Sequence, residues 1–439
     1  INNLAAAAVV NTDLDDTSQY RYQAVFARAN VNYKGRYIVN ITGRRDGSSR
    51  FGPGRQFANF GAIGAAWLFS KEAFLEDSFL SFGKLRASYG ITGNDQIGNY
   101  QFLDTYGTSG TQYQGIIGLQ PLRLYNPDFG WENNRKFEAA VEVSFLDDRI
   151  NFTASWFKNR SSNQLVGLPL PGTTGFASIQ ANLDAVVENK GIEFTLQSFN
   201  FRRQDFEWST SINLSIVRNE LVTFPGLESS TYSNQFVIGE PLNIRKVYQL
   251  TGVDPQTGVY QFRDFNGDGL ITADKDRGAI ADLNPQFFGG IQNSLQYKNW
   301  NLSFLFQFVR QENLNTAALG VPGAMGNQSA ELSDHWQHAG DIAQYQKFTS
   351  GSDAAAAQGY YNYYNSDAAI VDASYIRLKN IALSYKIPQQ WLKGINCSIF
   401  FEGQNLLTIT KFKGADPEFI SSSSLPPLKI LTTGLQLTF

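Results

Sequence analysis

The feature that most constrains this chain is a period-two alternation of apolar and polar side chains, repeated in segments of about ten residues. Residues 135–145, RKFEAAVEVSF, place Phe137, Ala139, Val141, Val143 and Phe145 on one face and Lys136, Glu138, Ala140, Glu142 and Ser144 on the other. After LDDR, the alternation resumes at Ile150. Because successive strand residues point to opposite faces, the two segments predict a hairpin with one apolar and one polar face.

Similar segments recur along the whole chain and predict about thirteen strands with no convincing long helix, so the predicted fold class is all-β. No window approaches the run of about 18 apolar residues that a membrane helix requires. The other alternating segments are residues 20–33, 36–45, 57–69, 84–92, 189–199, 206–217, 288–297, 301–309, 375–386, 396–402 and 430–439.

The connections between these segments alternate strictly between short and long. The short ones are KG, SKEAFLEDSFLSFG, LDDR, NFRRQD, KN and IPQQWLKGI, and the long ones span 46–56, 93–134, 159–188, 218–286, 310–374 and 403–429. This order places every long loop at one end of an up-and-down antiparallel sheet, as in a transmembrane β-barrel of the Gram-negative outer membrane. A chain ending on LTTGLQLTF, with Phe439 on the apolar face, favours that barrel over a soluble sandwich or propeller.

Composition excludes several function classes. A net charge of −3 and a pI of about 5.6 give no general basic surface for nucleic acid. The single cysteine, Cys397, excludes an internal disulfide framework and a cysteine-based zinc site. Both histidines, His335 and His338, fall in one long loop, which disfavours a Ser/His/Asp enzyme of the barrel lipase or protease type. We therefore expect a protein that is not an enzyme.

The stretch DFNGDGLITADKD begins like a calcium loop, with alternating oxygen-bearing side chains and a glycine at the sharp turn. The twelfth position is Lys275 instead of the bidentate glutamate of a helical calcium hand, and no amphipathic helix flanks the loop. One hypothesis is a Ca²⁺ ion that stiffens the loop, and the alternative is a cluster of Asn-Gly and Asp-Gly turns without metal. The candidate ligands are Asp264, Asn266, Asp268, the Leu270 carbonyl, and Asp274 or Asp276.

Aromatic side chains in two long loops are the candidate ligand-binding residues. An aromatic ring with a polar tip suits a wet, amphipathic ligand such as a sugar or a peptide. The alternative is that these rings anchor their loops against a covering lid or at the membrane interface. The candidates are Tyr360, Tyr361, Tyr363 and Tyr364 in QGYYNYYNSD, and Tyr125 and Trp131 in LYNPDFGWE.

Charged residues supply two further candidate surfaces. A Gly/Ser/Pro-rich loop surrounded by charged residues could contact an anionic ligand or could be salt-bridged and packed on its neighbours; the residues around it are Arg44, Arg45, Asp46, Arg50 and Arg55. The polar faces of several strands would line a lumen or brace a plug; they carry Lys84, Arg86, Glu138, Glu142, Asn151 and Gln292.

Several long, ordered blocks resemble SusC-like TonB-dependent outer-membrane transporters. They include NITGRRDGSSRFGPGRQFANFGAIGAAW, NPDFGWENNRKFEAAVEVSFLDDRINFTASWFKNR, GVDPQTGVYQFRDFNGDGLITADKDR and FFEGQNLLTITKFKGADPE, and the match runs from about Tyr20 to Phe439. The resemblance implies a barrel filled by a plug domain and energised through TonB. It also implies a SusD-like surface lipoprotein lid, and oligosaccharides or peptides as substrates.

No segment resembles the plug or a TonB box, so we expect residues 1–439 to form a C-terminal portion of the barrel domain. Transporters of this class close with 22 strands, so about thirteen strands here would leave about nine to come from elsewhere. Strand parity predicts that residues 1–18 form an extracellular loop segment and that a separate N-terminal polypeptide, with the plug, completes the barrel. A passive outer-membrane porin or surface-adhesin barrel is the alternative function.

Overall fold

The computed structural model of the chain describes most, but not all, of the sequence. The N-terminal segment predicted as an extracellular loop lies outside the described residues up to residue 16, and so does Phe439. The described residues are 17–76, 78–315, 321–325, 327–328, 330–392, 395–419 and 425–438.

Strands dominate the structure, and helices are few and short. In chain order the strands are β1 (Tyr22–Tyr33), β2 (Tyr37–Ser48), β3 (Phe57–Trp67), β4 (Leu80–Asn94), β5 (Tyr106–Tyr113), β6 (Ile116–Pro121), β7 (Glu132–Phe145), β8 (Ile150–Ser162), β9 (Gln164–Pro169), β10 (Ser178–Leu183), β11 (Val186–Arg202), β12 (Phe206–Thr223), β13 (Ile244–Val247), β14 (Leu250–Val253), β15 (Tyr260–Phe262), β16 (Ala279–Asp282), β17 (Phe287–Tyr297), β18 (Trp300–Arg310), β19 (Glu312–Leu314), β20 (Ile370–Asp372), β21 (Tyr375–Ile387), β22 (Asn396–Thr410) and β23 (Ile430–Thr438). The α-helices are α1 (Ala273–Asp276) and α2 (Ala354–Tyr364).

Thirteen of these strands form one antiparallel sheet in the order β1-β2-β3-β4-β7-β8-β11-β12-β17-β18-β21-β22-β23. We call these thirteen strands the wall strands. Each wall strand pairs with the next wall strand along the chain, which confirms the predicted up-and-down meander and its strand number. The remaining strands form five two-stranded ladders within the long connections. Among the described residues, no helix is both long and apolar enough to cross a bilayer.

One face of the sheet is apolar and uncovered. Across β7, β8, β11 and β12 the register aligns three consecutive rows of apolar side chains. In the middle of these rows Trp156 and Ile192 are 41% and 40% exposed. A soluble sheet would cover such a face, whereas a membrane strand presents it to lipid. We call these rows the apolar belt: Ala139, Trp156, Ile192 and Ile216; Val141, Ala154, Phe194 and Leu214; Val143, Phe152, Leu196 and Ile212.

Aromatic side chains gather where the sheet makes its short turns. Their amphipathic rings are typical of the membrane–water interface, and such girdles flank the apolar band of outer-membrane barrels. The pairs in contact are Tyr33 with Tyr37, Trp67 with Phe69, Phe79 with Phe145, Phe201 with Phe206, and Trp300 with Tyr385. The belt and this girdle fix the short-turn end of the sheet at one membrane surface.

Candidate functional site

The face opposite the belt carries the polar side chains predicted to point inward. Arg86 Nε donates to Glu142 Oε1 at 2.8 Å, and the Arg86 guanidinium also pairs with Glu138. Lys84 Nζ lies 3.3 Å from Glu142 Oε2, and Ser144 Oγ donates to Asn151 Oδ1 at 2.6 Å. Paired charges suit a face from which lipid is excluded. The predicted placement of these residues on one polar face is therefore confirmed.

At the long-loop end, the arginines around the loop after β2 are salt-bridged and packed, as the second of the two interpretations predicted. Arg44 Nε lies 2.7 Å from a carboxylate oxygen of the buried Asp46. The Arg50 guanidinium lies 4.1 Å from the centre of the Tyr20 ring and donates to the Asp95 carbonyl at 2.9 Å. The contact between Arg50 and Asp95 holds the loop after β2 against the loop after β4.

The other arginines around this loop, Arg45 and Arg55, are bound as well. Arg55 Nη2 lies 3.1 Å from Asp128 Oδ1, so this loop also contacts the segment before β7. Arg45 Nη1 donates to Asn59 Oδ1 at 3.1 Å, on the opposite face of β2 from Arg44. Arg44 and Arg45 therefore lie on opposite faces of the wall.

A cavity of about 350 Å³ opens on the polar face beside this loop. Its walls combine hydrogen-bonding groups with aromatic surface, which is the composition typical of a small-molecule or peptide site. The Arg44 guanidinium donates to the Tyr22 hydroxyl at 2.9 Å in its lining. Other lining residues are Asp46, Phe60, Asn94, Gln96 and Trp131. We call it the mouth cavity because it lies where the wall strands meet the long loops.

Trp131 lies largely buried in an aromatic cluster instead of standing free. Its ring centre is 5.0 Å from that of the fully buried Phe51, and its Nε1 donates to the Gln56 carbonyl at 2.9 Å. Its neighbours in the cluster are Phe60, Phe102 and Phe129. Trp131 thus packs two long loops together, and only part of its surface lines the mouth cavity. Tyr125, by contrast, is 49% exposed, and its ligand contact stays a prediction.

Two of the four clustered tyrosines lie in a second loop core. Tyr363 stacks on Tyr260 with ring centres 4.5 Å apart, and Tyr360 packs beside them. Burial raises the pKa of Tyr363 to about 12 and also raises the pKa of Tyr260. Gln346 Nε2 donates to the Ala356 carbonyl at 2.6 Å, which ties α2 to the preceding loop. Tyr360 and Tyr363 therefore hold the loop together.

The other two tyrosines of α2 remain available to a ligand or a covering protein. Tyr361 is 56% exposed, and Tyr364 lies under the Arg245 guanidinium at 5.9 Å. The sequence did not predict α2, although one signal was present: Asp353 precedes a run of four alanines and accepts a hydrogen bond from Ala356 N at 3.1 Å. This N-cap fixes the helix that separates the buried Tyr360 and Tyr363 from the exposed Tyr361 and the half-buried Tyr364.

The predicted calcium loop is closed by its own hydrogen bonds. Asp264 accepts from Gly267 N at 2.7 Å and from Gly269 N at 2.8 Å, and both glycines have positive φ. Asp268 accepts from Leu270 N at 2.9 Å and from the Asn266 amide at 2.7 Å. Carboxylates that receive backbone N–H groups in this way form tight Asx turns.

Two further candidate ligands, Asp276 and Asp274, also accept hydrogen bonds from the protein. The buried Asp276 accepts from Thr272 N at 2.7 Å and from Phe265 N at 2.9 Å, and the Thr272 N–H lowers its pKa. Asp274 accepts a hydrogen bond from Asn234 at 3.3 Å. Within the described ranges, no three His, Cys, Asp or Glu side chains are grouped to hold a metal ion. Calcium binding stays a prediction.

One site residue was not anticipated from the sequence. Arg377 on β21 is 1% exposed, and it donates two hydrogen bonds to Asp416, at 2.8 and 2.7 Å. Its Nη1 donates to Glu418 Oε2 at 2.6 Å, and its Nε donates to Thr408 at 3.0 Å. This clamp holds the ADPE segment of the last long loop against the polar face. Arg377 and its two acidic partners are about forty residues apart, so no local pattern connects them. The one signal in the sequence was the charged segment KFKGADPE.

Comparisons with known proteins agree with this geometry. The family model described as TonB dependent receptor-like, beta-barrel, matches residues 2–406. TonB-dependent receptor P3 of Formosa agariphila is 29% identical, and the alignment covers 100% of this chain and 47% of that relative. TonB-dependent receptor SusC of Bacteroides thetaiotaomicron is 27% identical over 94% of this chain and 43% of SusC.

A solved structure shares the fold. The RagAB peptide transporter superposes with a TM-score of 0.83 at 24% identity, over 96% of this chain and 48% of that chain. This chain thus spans about half the length of the relatives it matches. The family match, the thirteen-stranded meander and the uncovered apolar belt agree on a wall in the outer membrane. The chain belongs to the TonB-dependent receptor-like β-barrel family and is similar to SusC.

Proposed function

We propose that this chain forms part of the wall of a SusC-like transporter that imports oligosaccharides or peptides through the outer membrane. The observation that carries the proposal is the mouth cavity, where the polar face of the wall meets folded long loops. Import would depend on TonB acting on a plug and on a SusD-like lipoprotein covering the loops. The activity is transport and not catalysis.

The open edges of the sheet support a larger assembly. In the described part of the chain, β1 pairs only with β2, and β23 pairs only with β22. Each unpaired backbone group in lipid costs several kcal/mol, so both edges need partners within a bilayer. Further strands and a plug from the rest of the transporter, as the resemblance to SusC implies, would supply these partners.

The chemistry of the mouth cavity suits the proposed substrates. Arg44 and Asp46 present opposite charges side by side, and Tyr22, Asn94 and Gln96 add hydroxyl and amide groups. These groups can hydrogen-bond the carbonyls and termini of a peptide or the hydroxyls of a sugar. The exposed Tyr125 and Tyr361 and the half-buried Tyr364 would add stacking surface farther out in the loops. The relative with the superposable fold is itself a peptide transporter.

The test compares two adjacent arginines. Arg44→Gln alters the mouth cavity, whereas Arg45→Gln makes the same charge change on the outward face. We expect Arg44→Gln to reduce uptake of fluorescent peptide or oligosaccharide libraries by cells, and Arg45→Gln to leave uptake unchanged. Heat-modifiable migration on gels verifies that both variants fold.

Two outcomes would contradict the proposal. Equal uptake by both variants would remove the mouth cavity from the substrate path. Uptake that persists after a protonophore collapses the proton-motive force would indicate a passive porin instead, because TonB-driven import needs that energy.

A further inference from the structure

Two rows of charged residues lie directly beyond the apolar belt on its outward face. The first row aligns Phe137, Lys158, Lys190 and Arg218, and the second aligns Arg135, Arg160, Glu188 and Glu220. Both rows lie toward the long loops, on the same four strands as the belt. Because cross-strand partners share a face, seven charged side chains project outward here and not into the lumen.

A buried carboxylate organises three of the cations. Glu188 is 3% exposed, and its Oε2 lies 2.5 Å from Arg160 Nε and 3.0 Å from Lys158 Nζ. Lys190 Nζ lies 3.5 Å from Glu188 Oε1 and 3.0 Å from Glu220. Glu188 therefore binds the charged ends of three long side chains, which remain partly exposed.

Two further cations flank this cluster. The Arg218 guanidinium donates to the carbonyls of Val217 and Gln286, at 2.8 and 2.7 Å, so its position is fixed without loss of its charge. Arg135 is exposed at the other side of the patch. Five cations face two carboxylates, which leaves a net positive patch. With strands about 5 Å apart, the patch is about 15 Å wide.

The position of the patch decides which anion it suits. Trp156, Ile192 and Ile216 form the belt row immediately below it. A lipid whose phosphates lie against the charged rows and whose acyl chains lie against the apolar belt would contact both surfaces at once. A soluble anion would use the cations alone. Long loops of outer-membrane barrels lie outside the cell, so this boundary faces the outer leaflet.

We propose that Arg135, Lys158, Arg160, Lys190 and Arg218 form a binding site for the phosphate groups of an outer-leaflet lipid, with its acyl chains against the apolar belt. Arginine and lysine are the usual partners of phosphate oxygens, and basic residues next to a membrane surface attract anionic headgroups. The site depends on the placement of the belt in the membrane and is independent of the imported substrate.

The test uses the intact transporter purified from outer membranes and reconstituted in phosphatidylcholine bilayers that contain increasing fractions of diphosphorylated lipid A. Lipid A retained on the protein is measured by native mass spectrometry. Arg135→Gln combined with Arg218→Gln should weaken lipid A binding about 30-fold, roughly fivefold for each cation removed. Glu188 and its three partners stay intact in this variant, so the fold is preserved.

The matched control is Lys136→Glu, which changes the net charge by the same two units on the polar face next to Arg135. It should leave lipid A binding unchanged. Unchanged binding in the double variant, or equal losses in both proteins, would overturn the proposal. Displacement of lipid A by equimolar inorganic phosphate would also overturn it, because a site for free phosphate would not need the acyl chains.

Discussion

Replacement of Val141 by arginine tests the apolar belt directly. Val141 lies in the middle row of the belt, in register with Ala154, which in turn pairs with Phe194. The new guanidinium would project into lipid, far from the Lys84 and Glu142 pairs on the opposite face. We therefore expect Val141→Arg to destabilise the folded barrel.

The expected loss of folding free energy depends on how deep Val141 lies in the membrane. Val141 lies four residues from Phe145, which stacks on Phe79 in the aromatic girdle at the short-turn end. At about 3.4 Å per residue and a tilt of about 40°, Val141 is about 10 Å from the girdle, near the middle of the apolar band, about 25 Å tall, that outer-membrane barrels present to lipid. Arginine at the midplane costs about 2 to 4 kcal/mol. The ratio of folded to unfolded protein should fall about 30-fold or more.

The control is Thr195→Arg, because Thr195 follows Phe194 on β11 and projects from the polar face. We expect it to change the free energy of unfolding by less than about 1 kcal/mol, as at other exposed positions. Urea unfolding in bilayers, followed by tryptophan fluorescence, measures both proteins. Equal losses at the two positions, or a greater loss at Thr195, would refute the assignment of the faces.

Three further predictions concern the long loops. Asp416→Ala leaves the buried Arg377 short of a charge partner, so it should cost about 3 to 5 kcal/mol locally and make residues 411–419 protease-sensitive. Burial raises the pKa of Tyr363 to about 12 and so favours its neutral form in the folded loop. The stability that this burial contributes is complete below about pH 10 and declines above it, so proteolysis of residues 311–374 should increase at alkaline pH. Tyr363→Phe should weaken this increase, and Tyr361→Phe should not. If the predicted calcium site exists, chelation should increase proteolysis within residues 218–286 of the parent protein; an increase with Asp264→Ala but none on chelation would leave the Asx-turn interpretation, because Asp264 itself closes those turns.

The sequence predicted the wall better than the loops because wall strands carry a local pattern. All thirteen wall strands follow alternating segments, and their pairing follows from the connection lengths. The ends of β11 and β12 next to the long loops were missed because charged residues such as Glu188, Arg218 and Glu220 replace the apolar ones there and end the recognisable alternation. Those charges became interpretable only once the register aligned them with neighbouring strands.

The loop interiors depended on contacts distant in sequence. Trp131 meets Phe51 across 80 positions, and Tyr363 meets Tyr260 across about 100, so neither burial could be inferred from nearby residues. The tyrosine motif predicted an aromatic surface, but its helical placement divides inward from outward rings. The predicted calcium loop shows a similar limit. The spacing of its oxygen-bearing side chains is shared by calcium loops and Asx turns, and the backbone hydrogen bonds to Asp264 are visible only in the folded chain.

The central claim is that this chain is an outer-membrane wall with its long loops outside the cell, and single-cysteine labelling tests it most directly. In a Cys397→Ser background, Ile342→Cys lies on an exposed part of the long loop before β21, and Asp148→Cys lies in the short turn between β7 and β8. A membrane-impermeant maleimide should label Ile342→Cys on intact cells and Asp148→Cys only after the outer membrane is permeabilised. Labelling of both positions on intact cells, or of Asp148→Cys alone, would contradict the account.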